Sequence, residues 1–192
     1  MNTNNIQEAV KVFKNGGIVV FPTDTAYGIG CRMDNADSVR KVFEIKKRKL
    51  RNALLVLVDS IEMAEKYVKF DPRVSILVKK YWPGGLSIFL NTKLGKVPGI
   101  VTANSNALAV RWPKHKTIEK IIATVGVPII ATSANISGDA TPFTLEQVDK
   151  KILDHVDLVF EGKCTYEQES TIIDCSANPW KIIRKGAAEI KL

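Results

Sequence analysis

Three short runs of almost wholly apolar residues, Ile18–Phe21, Ala53–Val58 and Val127–Ala131, restrict the fold of this chain most. None alternates with polar residues, as a strand with one wet face does. Continuous runs of this length mark strands covered on both faces, the situation of a sheet sandwiched by helices. Helical stripes lie between them. Ile6, Val10 and Phe13 share one helix face, with Asn4 or Asn5 as N-cap and Gly16-Gly17 as the stop. Val39, Val42 and Phe43 predict a helix over Ala36–Lys46. Further helices are expected over Ile61–Val68, Pro72–Tyr81, Ile118–Thr124 and Leu145–Leu153. Leu86–Leu90, Ala107–Val110, Val156–Phe160, Thr171–Asp174 and Lys181–Arg184 read as further strands. The pattern predicts one α/β domain over 1–192: a twisted mixed sheet flanked by helices, with antiparallel additions late in the chain. The Gly/Pro/Asn-rich stretch Leu94–Asn106 is the candidate mobile loop.

Size and composition agree. A 192-residue chain that is 45% hydrophobic and 25% charged can close a core without a disulfide or metal staple. No apolar run approaches the roughly 20 residues of a membrane span, and the N-terminus lacks the pattern of a secretory signal. Cys31, Cys164 and Cys175 form no CxxC and read as free thiols of a reducing, cytoplasmic compartment. The net charge of +8 favours polyanionic partners such as nucleotides or RNA, although it also serves solubility.

The usual catalytic signatures are missing. There is no GxxxxGK[ST], and Gly28-Ile29-Gly30 lacks the third glycine of a dinucleotide fingerprint, because Met33 stands there. No HExxH or GxSxG occurs, and His115 and His155 are isolated. No metal-ligating cluster is expected. Catalysis would then rest on positioning and electrostatics.

Polar groups follow directly on apolar strands, where ligands gather at open α/β sheets. Thr23 and Thr25 follow one strand, and Ser133 and Asn135 follow another. Spacing of two in extended backbone puts each pair on one side. Each segment alone also reads as ordinary turn chemistry. Lys46-Lys47-Arg48-Lys49-Leu50-Arg51 closes the second helix and runs into a buried strand. At a helix end, neither Lys46 nor Arg48 is expected in the core. Arg111 at a strand end can fork a carboxylate or phosphate.

Together these segments resemble the YrdC/TsaC family of L-threonylcarbamoyladenylate synthases. The resemblance runs through GGIVVFPTDTAYGIG (16–30), KKR and NALLV within 46–56, YWPGGLSIFL (81–90), ALAVRWP (107–113), VPIIATSANISG (127–138), ESTIID (169–174) and IIRKG (182–186). It implies a YrdC-like sheet around a basic concave cleft. The implied reaction makes threonylcarbamoyl-AMP and pyrophosphate from L-threonine, bicarbonate and ATP. A downstream complex would then transfer the threonylcarbamoyl group to adenosine beside the anticodon of tRNA. The family K-x-R…S-x-N set falls on Lys46, Arg48, Ser133 and Asn135, with Lys46 and Arg48 as the catalytic cations. Thr25, Arg111 and Ser170 match positions that hold threonine. Arg48, Asn52, Ser133, Asn135, Thr141 and Arg184 match the ATP side. Mg²⁺ is implied with the ATP, held mostly by phosphates and water; Asp24 is either a contributor there or a turn residue.

Some positions depart from the family. Lys49 and Ala53 replace prolines, Lys185 replaces the proline of R-P-G, and Leu57 stands where many members carry histidine. The chain resembles the short, single-domain members. Two other functions share these features. A non-enzymatic RNA-binding protein would use the same charge, and the YrdC-like domain of hydrogenase-maturation proteins performs a related carbamoyl-adenylate chemistry within much larger chains.

Overall fold

The computed structural model describes residues 2–190. Its elements run in the order β1 (Asn2–Thr3), α1 (Ile6–Lys14), β2 (Val19–Pro22), β3 (Tyr27–Gly30), α2 (Ala36–Ile45), β4 (Leu55–Leu57), α3 (Ile61–Glu65), α4 (Pro72–Tyr81) and β5 (Leu86–Asn91). Then follow α5 (Gly99–Thr102), β6 (Ala107–Arg111), α6 (Lys116–Val125), β7 (Ile129–Ile130), β8 (Thr132–Ser133), α7 (Lys150–Leu153), β9 (Leu158–Phe160), β10 (Thr171–Asp174) and β11 (Lys181–Arg184).

The expected mixed α/β arrangement is present, with its strands shared between two sheets. One has the order β1-β9-β2-β3-β8 and the other β11-β10-β5-β6-β4-β7. Both mix parallel and antiparallel neighbours: β4 runs parallel to β6, while β5 runs antiparallel to it. The late strands β10 and β11 pair antiparallel, as their close spacing implied. The run Val127–Ala131 is not one strand. It gives β7 to the second sheet, and the chain turns at Ala131 to give β8 to the first.

Gly30 makes this crossing possible. A Cβ there would sit 1.6 Å from the carbonyl oxygen of Ile130. Only a residue without a side chain lets the end of β3 approach the crossing strand so closely.

Helix boundaries follow local chemistry. Asn5 caps α1 by accepting from the amides of Gln7 and Glu8, and Asn35 caps α2 by accepting from Ser38. Asp71 caps α4, with Pro72 at its first turn. His115 caps α6, its ring nitrogen accepting from the Ile118 amide at 3.4 Å. Ala9 and Phe13 of α1, Val39 and Val42 of α2, and Ile118 and Ile122 of α6 join the strands in one core.

Two expectations fail. Leu94–Asn106 is not a bare loop: it contains α5, whose Val101 is fully buried and whose carbonyl accepts from Leu54 N at 2.9 Å. Leu145–Leu153 is not one helix. A 3₁₀ turn over Leu145–Gln147 stops at Val148, and Asp149 starts α7 by accepting from Lys151 N.

Candidate active site

One face of the six-stranded sheet forms the floor of a cleft of about 340 Å³. The floor follows the period of two. Leu55 and Leu57 of β4, Ser87 and Phe89 of β5, Ala109 and Arg111 of β6, and Ile172 of β10 line it. Their neighbours Val56, Ile88, Val110 and Ile173 are buried on the other face. The polar segments after the apolar strands complete the lining: Thr23, Thr25, Ala26, Tyr27 and Gly28 from one, Thr132, Ser133 and Thr141 from another. Arg48 and Arg184 complete the wall. Leu57 presents an apolar surface where a histidine would stand in many family members.

The β2–β3 turn is held by its own side chains. Thr23 Oγ1 accepts from the amides of Thr25 and Ala26 and donates to the Ala26 carbonyl at 2.8 Å. The two threonines do lie side by side, their hydroxyls 3.0 Å apart. Thr25 Oγ1 accepts from Arg111 Nη1 at 2.6 Å.

Arg111 lies on the cleft floor but almost out of solvent. Its Nε donates to the Gly84 carbonyl at 2.9 Å, and Nη2 donates to Asp24. Burial lowers its pKa and the Asp24 charge opposes that shift. Of its five N–H groups three are committed, so two remain for a ligand carboxylate. Asp24 is therefore more than a turn residue. It is 1% exposed, one oxygen is paired with Arg111, and the other has no partner among the described residues.

Lys46 corrects an expectation. Far from being a surface cation, it is 1% exposed and does not line the cleft. Helix α2 ends there, and the side chain runs under the loop after β8. Its Nζ donates to the Ser133 carbonyl, to the Asn135 carbonyl at 2.6 Å and to Asn135 Oδ1 at 3.4 Å. Asn135 in turn donates to the Asp139 carbonyl at 2.7 Å. Lys46 and Asn135 thus form a clamp beneath the end of β8, where Ser133 reaches the cleft. Burial, with the nearby Arg48 charge, pulls the Lys46 ammonium down to about 7.

Arg48 does line the cleft. It donates to the Ala53 carbonyl at 2.8 Å and to the Asn52 carbonyl at 3.3 Å, and burial lowers its pKa. Asn52 enters only through that carbonyl; the residue is exposed and does not line the cleft.

At the far end, Arg184 donates to Glu169 Oε1 at 2.6 Å, to the Ser170 carbonyl at 3.0 Å and to Ser170 Oγ at 3.2 Å. Thr141 donates to the same Glu169 oxygen at 3.1 Å, and Ser87 shares a hydrogen bond with Ser170 at 2.9 Å. Sequence reasoning missed Ser87 and Glu169 as lining residues. Ser87 carried a signal, a polar residue inside the apolar strand Leu86–Leu90; Glu169 carried only its place beside Ser170.

Three arginines against one glutamate make the cleft electropositive, with an apolar floor. It can hold a polyanion beside a small zwitterion. Among the described residues no group of three or more His, Cys, Asp or Glu could hold a metal ion, and Cys31, Cys164 and Cys175 are free thiols.

The chain is similar to known proteins in sequence and in fold. The Sua5/YciO/YrdC family profile, described as telomere recombination, matches residues 11–186. A Methanocaldococcus jannaschii protein provisionally named threonylcarbamoyl-AMP synthase is 37% identical over 182 residues, covering 94% of this chain and 85% of the relative. The threonylcarbamoyl-AMP synthase of Pyrococcus abyssi is 33% identical over 188 residues, covering 97% of this chain and 55% of the relative, so the chain spans about half of that protein. The crystal structure of P. abyssi Sua5 complexed with L-threonine superposes with a TM-score of 0.90 at 31% identity, over 97% of this chain and 57% of that one. By extent of match, by identity and by fold, the chain belongs to the Sua5/YciO/YrdC family.

Proposed function

We propose that the cleft joins L-threonine, bicarbonate and ATP into threonylcarbamoyl-AMP and pyrophosphate, with release of water. One observation carries the reading. A single continuous cleft is lined by Thr25, Arg111 and Ser170 and also by Arg48, Ser133, Thr141 and Arg184. These are the positions the family resemblance gives to threonine and to the nucleotide. Relatives named for this synthase, and the Pyrococcus structure holding L-threonine, support it.

The substrate carboxylate takes the two uncommitted N–H groups of Arg111. The threonine amine, in its free-base form, attacks the carbon of bicarbonate, and water leaves to give the carbamate. A carbamate oxygen then attacks the α-phosphorus of ATP, the bond to the bridging oxygen breaks, and pyrophosphate departs. Arg48 and Arg184 stabilise the charge on the phosphates, and the apolar floor strengthens that interaction by excluding water. Lys46 acts through the end of β8 and not on the phosphates. No protein nucleophile is required.

Mg²⁺ would arrive with ATP. Glu169, the one carboxylate lining the cleft, is taken by Arg184 and Thr141, so phosphates and water would supply most of the coordination. No described helix is long and apolar enough to cross a membrane. The free thiols Cys31, Cys164 and Cys175 suit a reducing compartment, and the reaction is proposed for the cytoplasm on that ground. The product would pass to a complex that modifies tRNA. A second reading, RNA contact, draws on the exposed Lys47, Lys49 and Arg51 beside Arg48. Salt-sensitive RNA binding without threonine-dependent turnover would favour it.

The test is pyrophosphate release from ATP with threonine and bicarbonate omitted in turn. Release is expected only with both present. Equal release without either removes the synthase reading; use of carbamoyl phosphate in their place assigns the related carbamoyl-adenylate chemistry.

A further inference from the structure

An acidic side chain in a cleft built for a triphosphate needs a reason, since its charge opposes the ligand. Glu169 is that side chain. Its Oε1 accepts from both Arg184 Nη1 and Thr141 Oγ1, at 2.6 and 3.1 Å. These two partners come from different sheets: Arg184 ends β11 of one, and Thr141 lies on the segment that follows β8 of the other. The backbone of Glu169 is pinned as well. Its carbonyl accepts from Ala187 N at 2.9 Å, and a Cβ on Gly186 would come within 2.1 Å of that same oxygen. The carboxylate therefore projects from a fixed point.

We propose that Glu169 is a positioning residue for the nucleotide: it ties Arg184 and Thr141 together before ATP arrives and fixes the polarity of the Thr141 hydroxyl. The inference rests on the reading of the cleft as an ATP site. A carboxylate only accepts, so the Thr141 hydrogen must point at Glu169. Thr141 then offers lone pairs alone. It can receive a donor on the nucleotide, a ribose hydroxyl or the adenine amine, and cannot serve a phosphate oxygen. Arg184, with three N–H groups held by Glu169 and Ser170, keeps two for phosphate. Its charge is aimed without being freed to wander, which lowers the ordering cost of binding.

Because both bonds end on one oxygen, a glutamine can reproduce them with its amide carbonyl. The experiment compares Glu169→Ala and Glu169→Gln with the wild type, alone and combined with Thr141→Val. Wild-type ATP binding and threonine-dependent pyrophosphate release test the synthase reading by themselves. Amide hydrogen exchange over residues 136–142 in the free protein tests the tie without any nucleotide. Glu169→Ala should weaken ATP binding about tenfold, leave the threonine KM within about twofold, and speed exchange over 136–142. Glu169→Gln should restore all three to near the wild type. Adding Thr141→Val to Glu169→Ala should cost less than the product of the single effects. Two results overturn the proposal. If Glu169→Gln is as impaired as Glu169→Ala, the charge itself meets a ligand. If Glu169→Ala leaves both ATP affinity and exchange unchanged, the pair is a surface ion pair of no consequence.

Discussion

Asp24 and Arg111 form an ion pair with side chains only 1% and 3% exposed, where the β2–β3 turn meets the end of β6. Removing one partner of such a pair strands the other charge, at a cost of about 3–5 kcal/mol. Asp24→Asn should therefore lower the melting temperature and weaken threonine use together. Arg111→Lys keeps the charge but loses the fork that serves Gly84, Thr25 and Asp24 at once. It should raise the threonine KM far more than it weakens ATP binding. Saturation curves for both substrates decide; a collapse of ATP affinity alone would place Arg111 on the nucleotide.

Lys46 should behave as a clamp. Lys46→Ala leaves the carbonyls of Ser133 and Asn135 without their buried donor, which costs about 1–3 kcal/mol each way such a group is orphaned. Stability and turnover should fall together. The pH dependence has a definite sign. The ammonium titrates from its ordinary 10.5 in the unfolded chain and at about 7 in the fold. Below about 7 both states carry the proton; between the two values the unfolded chain binds more protons, so stability rises with pH. Denaturant titrations should show wild type gaining on Lys46→Met between pH 7 and about 9. A constant gap would mean that the three carbonyl acceptors keep the proton in place.

Arg48 lines the cleft without belonging to the core, and its protein bonds go to two backbone carbonyls. Arg48→Ala should cut turnover by about a hundredfold or more while the melting temperature moves little. Near-normal turnover would reduce Arg48 to a brace for the loop ahead of β4.

Selectivity should follow the hydroxyl network around Thr25 and Ser170. A site that hydrogen-bonds the substrate hydroxyl leaves its own polar groups unpaired when valine binds, whereas serine loses only a methyl contact of roughly 1–3 kcal/mol. Serine should be a poor but measurable substrate and valine weaker still. Pyrophosphate release with each amino acid, at saturating ATP and bicarbonate, gives the ranking; valine outperforming serine would mean that the pocket reads the methyl instead.

Local chemistry determined the elements whose signals are local. Pro72–Tyr81 is legible because Asp71, Pro72 and the apolar spacing agree, and α2 because Asn35 and the stripe Val39, Val42 and Phe43 agree. The family motifs likewise marked Thr25, Arg48, Arg111, Ser133, Thr141, Ser170 and Arg184, all of which the fold brings to one cleft. Tertiary structure decided what depends on neighbours. Gly28-Ile29-Gly30 reads only as an incomplete glycine fingerprint until β2 and β8 pair with it, and Val127–Ala131 reads as one strand until Gly30 admits the crossing between sheets. A basic run at a helix end gives no sign of which cation faces water. The carbonyls of Ser133 and Asn135, far off in sequence, draw Lys46 inward and leave Arg48 at the cleft. Periodicity records which residues share a face; only the packing of distant segments determines what that face meets.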